Sequence, residues 1–359
     1  MDGQSLPPLP IRTHASHGDP ERVGSVRDVG TGELDVLGIG NAIVDVISNA
    51  TDEVIAAHGL PKGSMTLIDA ERADALYVAI GPSMEISGGG GANTIAGAAS
   101  FGAEVAFIGK VRDDTLGDTF TSDIRAAGAV FQTPPLSHGP ATARCLIMVS
   151  PDGQRTMSTY LGAAVELGPE DIDTDLVGRA KVTYLEGYLW DPPRAKEAFR
   201  TAMAAAHARD RKVALSLSDT FCVERHRDEF RALVENDVDI LFANEDEVRA
   251  LYEVAGLDEA LALVRGRCEI VAVTRSEKGS YVWAGESFHE VPAEPVEKIV
   301  DTTGAGDSYA AGFLYGLTHG LELPVCARLG SIAAAEIIAH FGARPQVDLK
   351  ELAAPALAH

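Results

Sequence analysis

The chain has 359 residues, with 53 acidic against 30 basic side chains and a formal net charge of −23. So acidic a surface repels polyanions, which excludes non-specific nucleic-acid binding and docking on anionic membranes. The length indicates one large α/β domain or two smaller ones. An anionic substrate would need a locally positive site inside this negative field.

The composition also bears on the cellular compartment. No apolar run reaches the roughly 18 residues of a membrane span, and no basic and apolar leader opens the chain. The 4 cysteines lie far apart, which favours reduced thiols over a disulfide framework or a zinc site. We therefore expect a cytoplasmic protein without nucleic-acid or membrane partners.

The N-terminal segment, residues 1–33, is rich in proline and charge and predicts a disordered or loosely attached tail. Beyond it, β-branched or apolar runs alternate with helical patterns. The predicted strands are Leu34–Ile39, Glu104–Ile108, Arg144–Val149, Val182–Leu185, Val213–Leu217, Val238–Phe242, Ile270–Thr274 and Val296–Val300, and predicted helices include Thr115–Ala127, Pro193–Arg209 and Glu245–Val254. This alternation predicts a doubly wound, mostly parallel central sheet with helices on both faces and binding loops after the strands.

Two segments interrupt the alternation. Residues 46–69 and 141–161 have strand and turn patterns without a matching crossover helix, and the second predicts a hairpin around Asp152. Such extra strands would form a small β flap, or lid, over the site. We thus predict one α/β domain over residues 34–346 that carries this lid, followed by a surface tail over 347–359.

The glycine-rich loops can be compared with two known nucleotide-binding motifs. The chain has no glycine followed by Lys-Ser or Lys-Thr, so the common phosphate-binding loop is absent. Gly38-Ile39-Gly40 begins a dinucleotide fingerprint, but Ile43 stands where its third glycine should be. Binding of NAD is therefore disfavoured.

The strongest motif is Asp301–Asp307, with the sequence DTTGAGD, between a predicted strand and a predicted helix. The backbone amides of Gly304, Ala305 and Gly306 at a helix start, with the helix dipole, can bind an anion without a basic side chain. Asp307 falls in the first turn, where a carboxylate can accept the proton of an attacking hydroxyl. The alternative is an ordinary turn followed by a favourable first-turn acid.

A second glycine cluster covers Gly88–Gly91 and leads through Asn93 into a predicted helix over Thr94–Ser100. The glycines of this cluster allow close backbone approach to a ligand, and the side-chain amide of Asn93 can donate and accept hydrogen bonds at once. This combination suits the recognition of hydroxyl groups. A flexible linker capped by an asparagine would explain the same pattern.

Together, the two motifs make the chain resemble the PfkB carbohydrate kinase family, over about residues 34–346. The resemblance implies that Asp307 is the catalytic base, that the Gly304, Ala305 and Gly306 amides form an anion hole, and that ATP and Mg²⁺ take part. It further implies acceptor contacts at Asn41, Asp45, Gly88, Gly89 and Asn93, and nucleotide contacts at Asn244, Glu247, Thr274, Gly279, Thr303 and Gly342.

Two of these positions carry a qualification. Asn244 and Glu247 match the family's N-x-x-E, in which the glutamate helps to organise Mg²⁺, but they also form a helix capping box. In the nucleotide loop from Thr274 to Gly279, Ser276 replaces a family glycine. Gly342 lies in a late loop that in some members also binds K⁺.

The acceptor is less constrained by sequence than the reaction. Asn41 and Asp45 resemble adenosine kinase-type members, and Tyr188, Leu189 and Trp190 could offer an aromatic face to a purine. Glu186 instead resembles sugar kinases, in which a glutamate approaches the sugar. We therefore expect transfer of the ATP γ-phosphate to the primary hydroxyl of adenosine. Two alternatives remain: a kinase for ribose, fructose or 2-keto-3-deoxygluconate, and a non-catalytic nucleotide-binding regulator. A monomer and a homodimer are equally open.

Overall fold

The computed structural model describes residues 32–357, so nearly all of the predicted N-terminal tail lies outside the described residues. The strands are β1 (Leu34–Ile39), β2 (Ile43–Asn49), β3 (Met65–Leu67), β4 (Met84–Gly88), β5 (Val105–Ile108), β6 (Val130–Phe131), β7 (Ala143–Val149), β8 (Arg155–Tyr160), β9 (Ala180–Glu186), β10 (Lys212–Ser216), β11 (Ile240–Asn244), β12 (Ile270–Thr274), β13 (Ser280–Ala284) and β14 (Ser287–Val291). The helices are α1 (Asp52–Ala57), α2 (Ala70–Ala79), α3 (Gly90–Phe101), α4 (Thr115–Ala126), α5 (Thr174–Arg179), α6 (Pro193–His207), α7 (Thr220–Asn236), α8 (Glu245–Tyr252), α9 (Leu257–Val264), α10 (Ala305–Thr318), α11 (Leu323–Ile338), α12 (Leu349–Leu352) and α13 (Ala354–Leu357).

The central sheet of this described region has nine strands in the order β14-β13-β12-β11-β10-β9-β1-β5-β6. Its strands from β6 to β12 pair in parallel, and the antiparallel hairpin β13–β14 extends one edge. Helices cover both faces, because alternate residues of the buried strands, such as Val36 and Leu37 of β1, enter different cores. The doubly wound α/β fold is therefore confirmed.

The second sheet forms the predicted lid, with the strand order β3-β8-β7-β2-β4. Strands β7 and β8 form an antiparallel hairpin whose turn contains Asp152, as the sequence predicts. Strand β4 was not predicted, and the short helix α1 lies inside the segment 46–69, which was expected to lack a helix. The lid is thus larger than the two predicted segments.

Several predicted boundaries are wrong for identifiable reasons. Residues 296–300 form no strand, because their chain instead bonds to the end of α11 through Val300 N–H and the Ile338 carbonyl, 2.8 Å apart. Helix α3 begins at Gly90, four residues before the predicted Thr94, so glycines form its first turn. The C-terminal segment predicted as a surface tail forms α12 and α13, whose Leu349 and Ala356 lie in the core.

The fold brings the ends of the parallel strands and the lid to one edge. There, β1 leads into Asn41, β9 ends at Glu186, and α3 and α10 both begin. Helices α3 and α10 pack closely, since a Cβ at Gly97 would lie 2.7 Å from the Ala311 Cβ. None of the helices in residues 32–357 combines the length and the hydropathy that a membrane span requires.

Candidate active site

Helices α3 and α10 start side by side, and a hydrogen bond joins their first turns. The Asn93 Nδ2 donates to Asp307 Oδ2 over 3.0 Å. The Asn93 Oδ1 is buried and has no partner among the described residues. A buried amide oxygen without a donor is costly, so this atom is suited to accept a hydrogen bond from a ligand hydroxyl.

The N-terminus of α10 is open. Gly304 caps the helix with a φ of 79°, a left-handed conformation, and a Cβ there would lie 2.6 Å from the Ala343 Cβ. The Ala305 amide bonds to the Thr302 carbonyl at 3.3 Å, whereas the amides of Gly304, Gly306 and Asp307 find no acceptor within residues 32–357. A Cβ at Gly306 would meet nothing within 4 Å. Free amides before an open space are the expected features of an anion site.

The half-buried Asp307 carboxyl lies in the first turn of α10, beside this opening. Burial raises the pKa of Asp307 to about 6, an effect that Asp45 adds to and that the Asn93 hydrogen bond and the Arg344 charge oppose. A carboxylate with a pKa near 6 is ionised at neutral pH and is a stronger base than an exposed aspartate. The position and basicity of this group fit proton abstraction.

The N-terminus of α3, in contrast, is closed by Glu186 at the end of β9. Its Oε1 accepts from the Gly90 amide at 2.9 Å, and its Oε2 accepts from the Asn41 amide at 2.6 Å. Burial raises the pKa of Glu186 to about 7, and these amides act in the opposite direction. Both carboxylate oxygens thus bind backbone, so Glu186 joins the two predicted acceptor loops to each other.

The other predicted acceptor residues lie on the lid side of Glu186. A Cβ at Gly88 would lie 2.5 Å from Asp45 Oδ2, and a Cβ at Gly89 would lie 2.2 Å from the Asn41 carbonyl oxygen. Gly89 also has a φ of 93°. Glycine is therefore required at Gly89, where a side chain would meet backbone, whereas a side chain at Gly88 would displace the Asp45 carboxylate. Burial raises the pKa of Asp45 to about 6, which Arg155 and Arg344 oppose.

The DTTGAGD loop is fixed by its first aspartate. Asp301 Oδ1 accepts from the Thr303 amide at 3.0 Å, and Oδ2 accepts from the Gly342 amide at 3.2 Å. The same carboxylate forms a buried ion pair with Arg155 of lid strand β8. The loop, the late segment around Gly342 and the lid therefore meet at one carboxylate.

On the nucleotide side, Asn244 and Glu247 form the capping box at the start of α8. Asn244 Nδ2 donates to Glu247 Oε1 at 2.6 Å, and the Asn244 amide donates to Oε2 at 3.0 Å. Burial raises the pKa of Glu247 to about 7, and the nearby Asp219, Asp246 and Asp307 raise it further. A buried carboxylate among other carboxylates fits a Mg²⁺ ion held through water and phosphate oxygens rather than in a protein cage.

The loop from Thr274 to Gly279 follows β12 at the same edge of the sheet. Ser276, in place of the family glycine, has a φ of 50° and so keeps a left-handed conformation. Gly279 has a φ of 85°, and a Cβ there would lie 2.0 Å from the Val291 carbonyl oxygen. The loop geometry is thus retained despite the substitution, with strain at Ser276.

The aromatic cluster does not form the predicted platform as a whole. Leu189 and Trp190 are buried in the core, where Trp190 packs on Phe199 with ring centroids 5.8 Å apart. Tyr188 is 40% exposed.

Arg344 is a residue to which the sequence assigned no role, and it makes three hydrogen bonds to the acceptor segment. Its Gly-Ala-Arg-Pro setting gave no sign of those partners.

A family model described as pfkB family carbohydrate kinase matches residues 63–349. The chain belongs to this family. It is therefore a kinase, a phosphotransferase with an alcohol group as acceptor, and the family implies ATP as the phosphate donor.

Two solved structures are similar to this family member over most of its length. A Sinorhizobium meliloti adenosine kinase is 53% identical, with a TM-score of 0.84 over 90% of this chain and 100% of that chain. A probable sugar kinase from Rhizobium etli CFN 42 is 49% identical, with a TM-score of 0.85 over 91% and 100%. The adenosine kinase of Saccharomyces cerevisiae is 29% identical over 331 residues, which cover 85% of this chain and 94% of that protein.

Proposed function

We propose that the protein transfers the γ-phosphate of ATP to the 5′-hydroxyl of adenosine, giving AMP and ADP. The observation that carries this proposal is a row of side chains across the lid. In-register pairs connect Asp45 to Cys145, Cys145 to Thr159, and Thr159 to Leu67. Paired residues share one face of a sheet, so the row runs straight from Asp45 to Leu67.

The two ends of this row differ in chemistry. Asp45 is a half-buried carboxylate that can accept hydrogen bonds from two neighbouring hydroxyls. At the other end, Leu67 and Thr159 line a cavity of about 320 Å³ with Leu161, Val165 and Glu166. Thr159 lies two strand spacings from Asp45, about 9–10 Å. A nucleoside spans this distance, with ribose at Asp45 and the base in the cavity.

A free monosaccharide would occupy only the polar end. The lid face around the row is apolar, since Ile43, Ile47, Ile147 and Phe341 belong to one hydrophobic cluster. These observations favour a nucleoside over ribose, fructose or 2-keto-3-deoxygluconate. The similarity to the adenosine kinases of Sinorhizobium meliloti and Saccharomyces cerevisiae favours adenosine among nucleosides.

In the proposed mechanism, Asp307 accepts the proton of the 5′-hydroxyl while that oxygen attacks the γ-phosphorus. The new O–P bond forms as the bond from the γ-phosphorus to the ADP oxygen breaks, and the proton stays on the Asp307 carboxylate until solvent takes it. The free amides of Gly304 and Gly306 donate to the transferring phosphoryl oxygens. Asn93 keeps the carboxylate in line through its hydrogen bond.

The remaining groups bind and exclude water. Asn244 and Glu247 would hold Mg²⁺ through water, and that ion would neutralise phosphate charge. Thr274, Gly279, Thr303 and Gly342 form the nucleotide side, and a K⁺ site near Gly342 stays a prediction. The Arg155–Asp301 ion pair holds the lid over the phosphate loop. Exclusion of water there limits hydrolysis of ATP.

The proposal is tested by ADP release in a coupled assay with adenosine, inosine, cytidine, ribose, fructose and 2-keto-3-deoxygluconate. We expect turnover with adenosine and none with the free sugars. Leu67→Trp fills the cavity and should raise the KM for adenosine about tenfold while the KM for ATP stays constant. Val78→Trp, at a lid residue that is 82% exposed, is the matched control. Turnover of sugars alone would contradict the proposal.

We also infer a monomer. The outer face of the lid sheet is covered, because Val46 and Met148 pack in the same core as Ile55 of α1 and Leu76 of α2. A lid covered in this way has no free sheet face through which two copies could pair. Light scattering after gel filtration should give one chain per particle, and a dimer that Val54→Asp or Val78→Asp dissociates would contradict the inference.

A further inference from the structure

The side chain of Arg344 reaches from the late loop across to the segment that holds the acceptor. Its Nε donates to the Ser87 carbonyl at 3.0 Å, its Nη2 to Ser87 Oγ at 2.8 Å, and its Nη1 to the Ala92 carbonyl at 2.6 Å. Each of the three guanidinium nitrogens therefore binds the segment from the end of β4 to the first turn of α3. A planar fork of donors is required for such a contact, and a lysine ammonium does not provide it.

The contacts on either side of Arg344 connect it to both halves of the site. On the nucleotide side, Gly342 donates to Asp301, and Ala343 packs against Gly304. On the acceptor side, the residue after Ala92 is Asn93, which bonds to Asp307. Contacts thus join the late loop at Gly342, the phosphate loop Asp301–Asp307 and the acceptor segment Ser87–Asn93 in a closed series. The hydrogen bonds of Arg344 complete this series.

We propose that Arg344 is a positioning residue: it holds the start of α3, and through Asn93 it sets the geometry and the charge environment of Asp307. This inference rests on the proposed role of Asp307 as the base. Arg344 acts through its backbone and Ser87 partners, so it need touch neither the acceptor nor the phosphates.

The charge of Arg344 has its own effect. Burial lowers the pKa of Arg344 to about 10, so it stays protonated at neutral pH, and the carboxylates of Asp123, Asp45 and Asp307 favour that charged form. Reciprocally, Arg344 favours the ionised form of Asp307. The other groups that face Asp307 are Asn93 from α3, Asp45 from β2, Tyr184 and Glu186 from β9, Tyr188 after β9, and Glu247 from α8. None of these other groups is basic, so the positive charge near Asp307 among them comes from Arg344.

The test compares Arg344→Gln with Arg344→Lys in the full-length protein. Arg344→Gln removes both the planar set of guanidinium donors and the positive charge. The acceptor KM should therefore rise about tenfold, while the ATP KM should change by less than about twofold. The acid limb of kcat/KM for the acceptor should move up by about one pH unit, because loss of a nearby positive charge raises the pKa of the base. Arg344→Lys keeps the charge, so it should show the KM effect with little shift of the acid limb.

Several results would overturn the proposal. One is an unchanged acceptor KM in both variants. Another is a fall in melting temperature with both KM values raised equally, which would indicate a structural role alone. If Arg344→Gln fails to fold, Ser87→Ala removes one acceptor of the fork and should raise the acceptor KM severalfold without changing the acid limb. Absence of adenosine turnover in the unmodified protein would contradict the proposed function, and the variants would then be measured with whichever acceptor the assay identifies.

Discussion

Helices α3 and α10 begin at the same place with similar glycine-rich turns, yet their N-termini are in opposite states. The amides at the start of α3 are occupied by the Glu186 carboxylate from β9. Those of Gly304 and Gly306 at the start of α10 have no acceptor within the described part of the chain. One helix start is closed by the protein itself, and its neighbour is left open.

The difference shows what makes a helix start a ligand site. Every helix N-terminus presents unpaired amides and positive potential, so these features alone do not decide function. The deciding factor is whether the fold brings an internal acceptor to them. Asp301 could have closed α10, but its carboxylate is turned to Thr303, Gly342 and Arg155.

The largest expected effect concerns the carboxylate at the open helix. Asp307→Asn should lower kcat by roughly 10²–10⁴-fold, because the amide cannot take the hydroxyl proton, while binding of ATP and of the proposed acceptor adenosine is retained. Steady-state kinetics and calorimetric binding would measure both effects. Asp258→Asn, at an exposed first-turn acid of α9, is the control. A variant of Asp307 that kept more than a few per cent of kcat would exclude this residue as the base.

Two glycines at the open helix should respond differently to the same substitution. Gly306→Ala meets no neighbour, so stability should be retained while kcat/KM for ATP falls about 10²-fold through loss of room for the phosphate. Gly304→Ala forces a side chain into a left-handed conformation and onto Ala343, so the free energy of unfolding should fall by at least about 1–2 kcal/mol. Thermal melts and ATP kinetics of both variants separate the two effects. Equal losses of stability would show that the open space does not exist.

At the closed helix, Glu186→Gln places an amide donor against a backbone N–H. We expect the free energy of unfolding to fall by about 1–3 kcal/mol, together with a higher acceptor KM, since Glu186 joins the loops at Asn41 and Gly90. Denaturant titration checks the first expectation. Glu170→Gln, at an exposed residue, should change stability by less than about 0.5 kcal/mol. Unchanged stability with altered acceptor preference would instead indicate a sugar ligand.

The smallest expected effect concerns Ser276, a residue with a left-handed backbone outside these helices. Ser276→Gly relieves the backbone strain at a φ of 50°, and the entropy cost of a new glycine offsets part of that gain. We expect the free energy of unfolding to rise by about 0.5–1 kcal/mol. Glu277→Gly, at the next residue with an ordinary φ, should lose a similar amount. Differential scanning calorimetry resolves the sign. A loss at Ser276 would show that its side chain contributes more than the strain costs.

Sequence patterns predicted those parts of the fold that have a local cause. Alternating strands and helices gave the central sheet, because buried parallel strands are continuous apolar runs such as Val36–Ile39. The segment 296–300 has β-branched residues around Glu297 and Lys298, but Val300 bonds to Ile338 at the end of α11, and the segment forms no strand. The start of α3 was misplaced because glycine is a poor helix former until Glu186 satisfies its amides.

By itself, the sequence determined most of the parallel strands of the central sheet, the lid hairpin and the two glycine-rich loops with Asn93 and Asp307, since each depends on residues close in the chain. The tertiary structure decided what those loops do. Glu186 is 96 residues from Gly90, and Arg344 is 252 residues from Ala92. Contacts between such distant residues have no local pattern, so only the folded chain shows that α3 is closed, that α10 is open, and that the row of side chains from Asp45 to Leu67 ends at a cavity.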